Sequence, residues 1–285
     1  GRCLGRLGMD CIRLNATMTD QTLLAALQIL VQRGQSAVLC TVVRTRGAVP
    51  RRAGAKMLVY ADGNILGTIG GGRMENLAIS SALKVLRTGE ARFEHYSLVN
   101  PQDGDPGVCG GTLEVFMDPI KPDPTLLVVG GGHIGVALVH LGQWLGFHVV
   151  LSDDRPEFCT PEAAPGADQY IPGDSKLLLT QFTFHPETYV VLVTRGVLQD
   201  VTLLPGILTR PNAYVGVIGS RKRWQTTVDQ LTALGISEDQ LASIHSPVGL
   251  ELNAETPTEI ALSIMSEIVL LRRGGSGLPM RVSDG

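Results

Sequence analysis

The sequence contains little of what nucleic-acid and membrane proteins need. Only 5% of its 285 residues are aromatic and its formal net charge is -3, so it lacks the stacking side chains and the basic field typical of nucleic-acid binders. No apolar run approaches the roughly 20 residues of a transmembrane helix, and the first residues lack the continuous apolar core of a signal peptide. We therefore expect a cytoplasmic protein that binds neither nucleic acid nor membranes.

Cysteine is also scarce, whereas glycine is abundant. The five cysteines are an odd number, spread along the chain without a C-x-x-C pair, which predicts neither a disulfide framework nor a structural zinc site. Glycine supplies 34 of the 285 residues, about 12% against a typical usage near 7%. Because these glycines lie in short clusters, they predict several tight loops. Hydrophobic residues, at 44%, are sufficient for a core and exclude disorder.

A proline-rich segment divides the chain into two halves. Three prolines lie between Asp118 and Pro124, and proline fixes φ and removes a backbone donor, so this segment is typical of an extended linker. Grouped strands and helices before it predict an α+β domain, and alternating strands and helices after it predict a doubly wound parallel sheet, giving an α/β chain. The predicted segments are a tail or foreign segment at 1–18, the α+β domain at 19–118, the linker at 119–124, a Rossmann-like domain at 125–273 and a C-terminal tail at 274–285.

The second half contains a glycine loop of the dinucleotide-binding type. The run Gly130-Gly-Gly-His-Ile-Gly135 fits G-x-G-x-x-G, follows an apolar strand and opens a helix. Gly132 would let backbone amides approach a phosphate at the helix N-terminus. His133 is a candidate for ligand contact or an ordinary loop residue. The alternative interpretation is a Rossmann-like turn kept for packing alone.

Other polar residues of the second half should reach the same edge of the parallel sheet, where doubly wound folds bind ligands. Asp153 ends the next strand about 20 residues on, where an acid can hold ribose hydroxyls, and Asp154 is the register alternative. Thr194 leaves a later strand, and Ser220 and Arg221 open a further helix that offers a phosphate site. Ordinary loop polarity is the alternative for all of them.

The first half has a second glycine triplet, Gly70-Gly71-Gly72, followed by Arg73. It joins a strand to a helix, so exposed amides and the helix dipole favour an anion there. The guanidinium of Arg73 would add a fork-shaped donor for phosphate. A tight strand-to-helix turn without a ligand is the alternative interpretation.

A basic loop precedes this triplet. It carries Arg51, Arg52 and Lys56, with Arg44 and Arg46 just before them. Cations concentrated on a Gly/Pro-shaped loop of an acidic protein predict a local anion site, with a solvated basic surface as the alternative.

A third glycine-rich segment carries Cys109 between flexible residues ahead of a strand. A thiol on such a loop can be a nucleophile or a ligand when nearby amides lower its pKa. A small buried hydrophobe is the alternative, and it is the preferred interpretation for Cys40, which lies inside an apolar strand.

Several long motifs, taken in order, resemble the XdhC/CoxI family of xanthine dehydrogenase accessory proteins. The resemblance extends from about Leu23 to Met280. The motifs that carry it are TVVRTRGAVPRRAGAKMLV, GTIGGGRMEN, GVCGGTLEVFMDP, LLVVGGGHIG, YVGVIGSRKRW and GLELNAETPTEIALSIMSEIVLLRRG.

The resemblance implies an XdhC/CoxI domain followed by a Rossmann domain, commonly in a homodimer. It implies binding of molybdenum cofactor, a pterin dithiolene in mononucleotide or dinucleotide form, its sulfuration with a cysteine desulfurase and its delivery to a molybdenum hydroxylase. An assembly factor is thus expected rather than an enzyme. Where many family members have a cysteine after the first glycine pair, this sequence has Arg73, so Cys109 is left as the thiol for cofactor or metal contact.

A single ligand site is expected, and two rival functions stay open. We expect the pterin phosphate near Gly70–Arg73 or the loop of Arg51 and Arg52, and a nucleotide portion, or NAD(P) or another nucleotide, at Gly130–Gly135. Loops of both halves are expected to face one cleft. One rival function is an NAD(P)-dependent oxidoreductase, which explains Gly130–Gly135 and Asp153 but leaves the first-half loops without a role. The other is a scaffold that binds no small molecule and only docks the hydroxylase.

Overall fold

The computed structural model describes residues 19–97 and 111–280. The chain divides into two compact units, Gly1–Pro122 and Asp123–Gly285. The first mixes helices with an antiparallel sheet and the second alternates strands and helices around a parallel sheet, which confirms the predicted fold class.

The first unit is built on a five-stranded antiparallel sheet with the order β3-β2-β1-β5-β4. Its described elements are α1 (Asp20–Gln32), β1 (Ala37–Arg46), β2 (Lys56–Tyr60), β3 (Ile65–Gly67), α2 (Gly72–Thr88), β4 (Arg92–Ser97) and β5 (Thr112–Ile120).

Helix α2 covers one face of this sheet. Its buried residues Met74, Ala78, Ala82 and Val85 recur at helical spacing, and the two alanines let the helix axis approach the strands closely. Cys40 on β1 is buried in the same core, and burial raises the pKa of its thiol to about 12. Cys40 is therefore an unreactive core residue, as the sequence indicated.

The extended segment between the units is shorter than the predicted linker. Strand β5 continues to Ile120, with Pro119 opposite Val38 of β1. On the other side of β5, the last pair with β4 joins Arg92 to Met117. Because β4 does not extend as far as Pro119, the missing amide of this proline interrupts no ladder on that side, and the strand tolerates it.

The second unit is a six-stranded parallel sheet with the order β11-β10-β9-β6-β7-β8. Its elements are β6 (Thr125–Val129), α3 (His133–Trp144), β7 (His148–Asp153), β8 (Gln169–Pro172), α4 (Ser175–Gln181), β9 (Thr188–Leu192), α5 (Val197–Leu208), β10 (Tyr214–Val217), α6 (Arg221–Ala233), α7 (Glu238–Ala242), β11 (Ile244–His245) and α8 (Pro257–Arg273). A short 3-10 turn spans Pro156–Phe158.

Both faces of the parallel sheet are buried. Leu126 and Val128 pack on one face in the cluster that includes α3 and α8, and Leu127 and Val129 pack on the other with α4, α5 and α6. A strand covered on both faces must be apolar at every position, which explains the continuous run that marked β6 in the sequence.

The order of the strands places a topological switch point between β6 and β9. The chain winds from β6 through β7 to β8 on one side, then returns to β9 and winds outward through β10 to β11. Loops at the carboxyl ends of β6 and β9 leave the sheet in opposite directions, which opens a crevice between them.

Helix α8 shows how sequence signals fix an element. Thr256 caps its first turn, Pro257 occupies the first helical position, and Glu259 accepts a hydrogen bond from the Thr256 amide. The helix ends at Gly274, whose φ of 68° is left-handed and favours glycine. Across the described ranges, none of the helices combines the length and apolar character that a membrane crossing requires.

Candidate functional site

The glycine triplet of the first unit forms a turn that other residues would resist. Gly70, Gly71 and Gly72 have φ values of 147°, 77° and 68°, a region that glycine enters without steric cost. The triplet joins β3 to the start of α2, as predicted.

The amides of this turn are held by a carboxylate of the same unit. Glu75 Oε2 accepts hydrogen bonds from the Ile69 and Gly71 amides, both at 3.1 Å, and from the Thr68 hydroxyl. The side chain of Glu75 therefore lies where an external anion was predicted. Sequence analysis did not single out Glu75, although an acid in the first turn of a helix is a recognised start signal.

The basic loop packs directly against this triplet. A Cβ at Gly70 would lie 2.6 Å from Pro50 Cγ, so the loop at 47–55 touches the turn. Arg51 and Arg52 are exposed on that loop, and Lys56 Nζ donates to the Gly54 carbonyl at 3.3 Å. The structure thus brings the predicted cations and the predicted glycine turn of the first unit together, with Arg73 exposed on the first turn of α2.

A small polar pocket lies beside the ends of β1, β4 and β5. It is lined by Arg44, Arg46, His95 and Glu114, among others. Arg44 and His95 lie 3.5 and 3.9 Å from the Glu114 carboxylate, so this acid offsets part of the local positive charge. Cys109 lies outside the described residues, and its contact with a cofactor or metal stays a prediction.

In the glycine loop of the second unit, Gly130 and Gly135 have no room for a side chain. A Cβ at Gly130 would lie 2.6 Å from the Val193 carbonyl oxygen, and one at Gly135 would lie 1.8 Å from the Gly130 carbonyl oxygen. Gly132 differs, because its φ is -73° and, apart from its two chain neighbours, no atom of the described residues would lie within 4 Å of a Cβ there. Space for a ligand is therefore open at the glycine for which phosphate approach was predicted. His133 is exposed at the start of α3.

The carboxylate of Asp153 makes its hydrogen bonds within the loop. Its carboxylate accepts from the Gly131 amide at 2.7 Å and from the backbone and guanidinium of Arg155 at 2.9–3.0 Å. Burial alone would raise the pKa of this carboxyl, but the hydrogen bonds from Arg155 and Gly131 outweigh burial and lower it. These four donors fill the accepting positions of a carboxylate, so in this conformation Asp153 fixes the loop instead of offering oxygens to a ribose. Arg155 was missed in the sequence.

Asp154, the register alternative, lies on the rim of the crevice. Its two oxygens accept from Arg195 at 3.0 and 2.8 Å. The crevice at the switch point is lined by residues from the ends of β6, β7 and β9, including Gly130, Asp154, Thr194 and Arg195. The structure thus brings Thr194 and Gly130 into one pocket, as predicted.

Thr194 is held by a buried ion pair. Its hydroxyl donates to Asp200 at 2.5 Å, and Arg223 donates to the Thr194 carbonyl at 3.2 Å and to Asp200 at 2.7 Å. Burial raises the pKa of Asp200, against hydrogen bonds from Thr194 and Arg223.

Ser220 and Arg221 occupy the start of α6. The Ser220 hydroxyl caps the helix by accepting from the Arg223 amide at 3.2 Å. Arg221 is exposed, and the first turn of α6 contains no acidic residue. A cation at a helix N-terminus opposes the helix dipole, so an anion bound there would lower the local repulsion.

In the part of the chain that the structure describes, no group of three or more His, Cys, Asp or Glu side chains is arranged to hold a metal ion. The first unit has exposed arginines beside a glycine turn, and the second unit has a crevice with a glycine loop. A doubly wound sheet with a glycine loop at the first strand–helix turn defines a Rossmann-type domain.

Comparison with known families agrees with this fold. Residues 126–268 match the XdhC Rossmann domain, and residues 30–97 match the XdhC and CoxI family. The chain belongs to the XdhC and CoxI family, which confirms the resemblance seen in the sequence.

Three relatives illustrate the range of the family. The chain is 33% identical over 241 residues to the uncharacterized protein YqeB of Escherichia coli, covering 84% of this chain and 44% of YqeB. It is 32% identical over 162 residues to a probable xanthine dehydrogenase subunit of Bacillus subtilis, covering 57% of this chain and 47% of that protein. It is 25% identical over 289 residues to the molybdenum cofactor insertion chaperone PaoD of E. coli, covering 90% and 91%. The chain thus spans less than half the length of the first two relatives and most of the third.

Proposed function

We propose that this protein is a chaperone that binds molybdenum cofactor and delivers it to a xanthine dehydrogenase-type molybdenum hydroxylase. The observation that carries the proposal is the similarity to PaoD, a molybdenum cofactor insertion chaperone, along 90% of this chain and 91% of PaoD. The match includes both units and not the Rossmann domain alone.

The first unit is proposed to hold the anionic end of the pterin. Arg51 and Arg52 are exposed on the loop that packs against Gly70, and guanidinium groups bind phosphate oxygens through two parallel donors. Because Glu75 already takes the Ile69 and Gly71 amides, we assign the phosphate to these arginines and not to the amides of the turn.

We also propose contacts for the nucleotide portion and the metal of the cofactor, and partners for the protein. The crevice of the second unit would take a nucleotide portion. Cys109 would lie near the metal or its exchangeable sulfur, with a cysteine desulfurase as the sulfur donor. A homodimer in the cytoplasm is the proposed working form.

The proposal is tested by cofactor retention. The protein is purified without oxygen, mixed with molybdenum cofactor and separated from free cofactor, and the bound pterin and molybdenum are measured by fluorescence and mass spectrometry. The Arg51→Ala/Arg52→Ala double variant should lose about a hundredfold in affinity, because two charge-assisted contacts to phosphate, each worth about 1.5 kcal/mol, are removed.

A second double variant of the same unit controls for net charge. Lys84 and Arg87 are exposed cations on α2, so Lys84→Ala/Arg87→Ala changes the charge equally at a distance in sequence from the loop. Retention should be close to that of the unchanged protein. Equal retention by all three proteins would remove the arginine loop from the site, and no retention by the unchanged protein would overturn the chaperone proposal.

The rival function, an NAD(P)-dependent oxidoreductase, is favoured only by the glycine loop at Gly130–Gly135. The acid that would hold the ribose in such an enzyme, Asp153, is engaged by Gly131 and Arg155. Bound nicotinamide, hydride transfer to a substrate and no pterin retention would replace the chaperone proposal with this one.

A further inference from the structure

The crevice of the second unit is lined by buried, hydrogen-bonded groups and by an exposed ion pair. It lies where β6, β7 and β9 end, and its lining includes Gly130, Thr194 and Gln199. Gly130 is fixed by the close contact of its loop with Val193, and Thr194 is fixed by hydrogen bonds to Asp200 and Arg223. These groups form the base of the crevice.

One ion pair lies across the base of the crevice. Asp154 follows β7 and Arg195 follows β9, and the pair joins them through two hydrogen bonds of 3.0 and 2.8 Å. Both strands flank β6 in the sheet, so the pair crosses the carboxyl end of β6, where the glycine loop begins.

This ion pair is the contact of the crevice that a ligand can replace most easily. The side chains of Asp154 and Arg195 are 44% and 53% exposed, and ion pairs in that setting are weak and screened by salt. Arg155, the other cation of the crevice, is bound by buried Asp153 through three hydrogen bonds. Arg195 is therefore the cation that can exchange its partner at little cost.

We propose that Arg195 is the phosphate-binding cation of this crevice and that Asp154 is an internal competitor that holds it until a ligand arrives. The ligand is a compound with a diphosphate or phosphate monoester group, carried by a nucleotide or by the pterin. Phosphate has more acceptor oxygens and more negative charge than a carboxylate, so it displaces Asp154 from the guanidinium. The inference rests on the proposed use of the crevice for the nucleotide portion of the cargo.

Asp154 has opposite effects on affinity in the two possible roles. An acid that holds ribose hydroxyls contributes to affinity, so its removal weakens binding of a nucleotide. An acid that competes with the phosphate lowers affinity, so its removal strengthens binding. The sign of the change separates the two roles.

The test is a calorimetric titration of the full chain with ADP and, separately, with inorganic pyrophosphate at low salt. We expect Asp154→Asn to bind both probes about three- to fivefold more tightly, the range of an exposed ion pair. Arg195→Ala should bind both more weakly by about tenfold. In the Arg195→Ala background, Asp154→Asn should bring no gain, because the other cation near Asp154, Arg155 at 4.0 Å, stays hydrogen-bonded to Asp153.

Glu157→Gln is the matched control, since it removes one exposed negative charge close by in the sequence, at the 3-10 turn. Its affinity for both probes should stay unchanged. Unchanged or weaker binding by Asp154→Asn overturns the proposal, and so does a gain that persists without Arg195, which would reflect net charge alone. Pterin retention measured on the same proteins keeps the two proposals apart, because the Arg51/Arg52 test can succeed when this one fails.

Discussion

The two glycine triplets of this chain read alike in the sequence but are used differently. In the first unit Glu75, on the helix that follows the triplet, takes two backbone amides and a hydroxyl of the turn. In the second unit the carboxylate comes from the neighbouring strand, and Asp153 takes only the Gly131 amide while binding Arg155. Within the described residues, no side chain caps α3 and its first turn has no acid.

The difference shows what decides whether a glycine turn can bind an anion. Glycine provides the backbone conformation and the close approach, but a carboxylate nearby in the fold can occupy the donors first. In the first turn the carboxylate of Glu75 occupies the amides, whereas the second turn leaves the start of α3 open at Gly132. Variants that remove each carboxylate in turn test this difference between the two turns.

The largest effect is expected for Asp153→Ala. The side chain of Asp153 is 2% exposed, and its loss leaves the Arg155 guanidinium and the Gly131 amide without their acceptor. Because the Arg155 side chain is 26% exposed, the loss should lie near the lower end of the range for buried ion pairs, about 3 kcal/mol, which chemical unfolding followed by circular dichroism will measure. Asp154→Ala, at the neighbouring exposed position, should cost less than about 1 kcal/mol. Equal losses for the two variants would contradict the structural role of Asp153.

A smaller effect is expected for Glu75→Ala, about 2 kcal/mol, because its donors are partly buried and water can replace the lost acceptor. The variant should also gain an anion site. Added sodium sulfate should raise its unfolding midpoint more than that of the unchanged protein, since the Ile69 and Gly71 amides become available. Glu75→Gln, which keeps one acceptor oxygen, serves as the control. A variant as stable as the original, with no sulfate effect, would show that the triplet needs no internal anion.

Much of the fold could be predicted because its signals are local. The apolar run of β6, the G-x-G-x-x-G loop and the capping box of α8 each depend on a few adjacent residues. The short elements β8 and β11, with four and two residues, carry too few residues for a periodic pattern. They are strands because the edges of the parallel sheet pair with them, and that pairing depends on distant parts of the chain.

From the sequence, the positions of the candidate residues could be predicted better than their hydrogen-bond partners. The basic loop and the Gly70 turn lie together, as do Gly130 and Thr194. The partners of the charged groups depend on contacts between distant segments, such as Arg195 with Asp154 across 41 positions. No sequence pattern distinguishes an acid that binds a ligand from one that holds a loop, so the roles of Asp153 and Glu75 emerged only from hydrogen-bond geometry.

The smallest effect concerns acid stability. The pKa of Asp153 is lower than the ordinary value of 3.8, because hydrogen bonds from Arg155 and Gly131 outweigh burial. A lowered pKa in the folded state means that the unfolded chain takes up a proton first as the pH falls, so this group stabilises the fold above pH 3.8 and loses that contribution as the pH drops through the lowered value. One such group changes the free energy of unfolding by at most about 1.4 kcal/mol per pH unit. The difference in stability between the unchanged protein and Asp153→Asn, measured by chemical unfolding, should therefore shrink in this acid range. A difference that stays constant would mean that the Asp153 carboxylate is not preferentially stabilised by Gly131 and Arg155, and the contrast with the turn held by Glu75 would lose its basis.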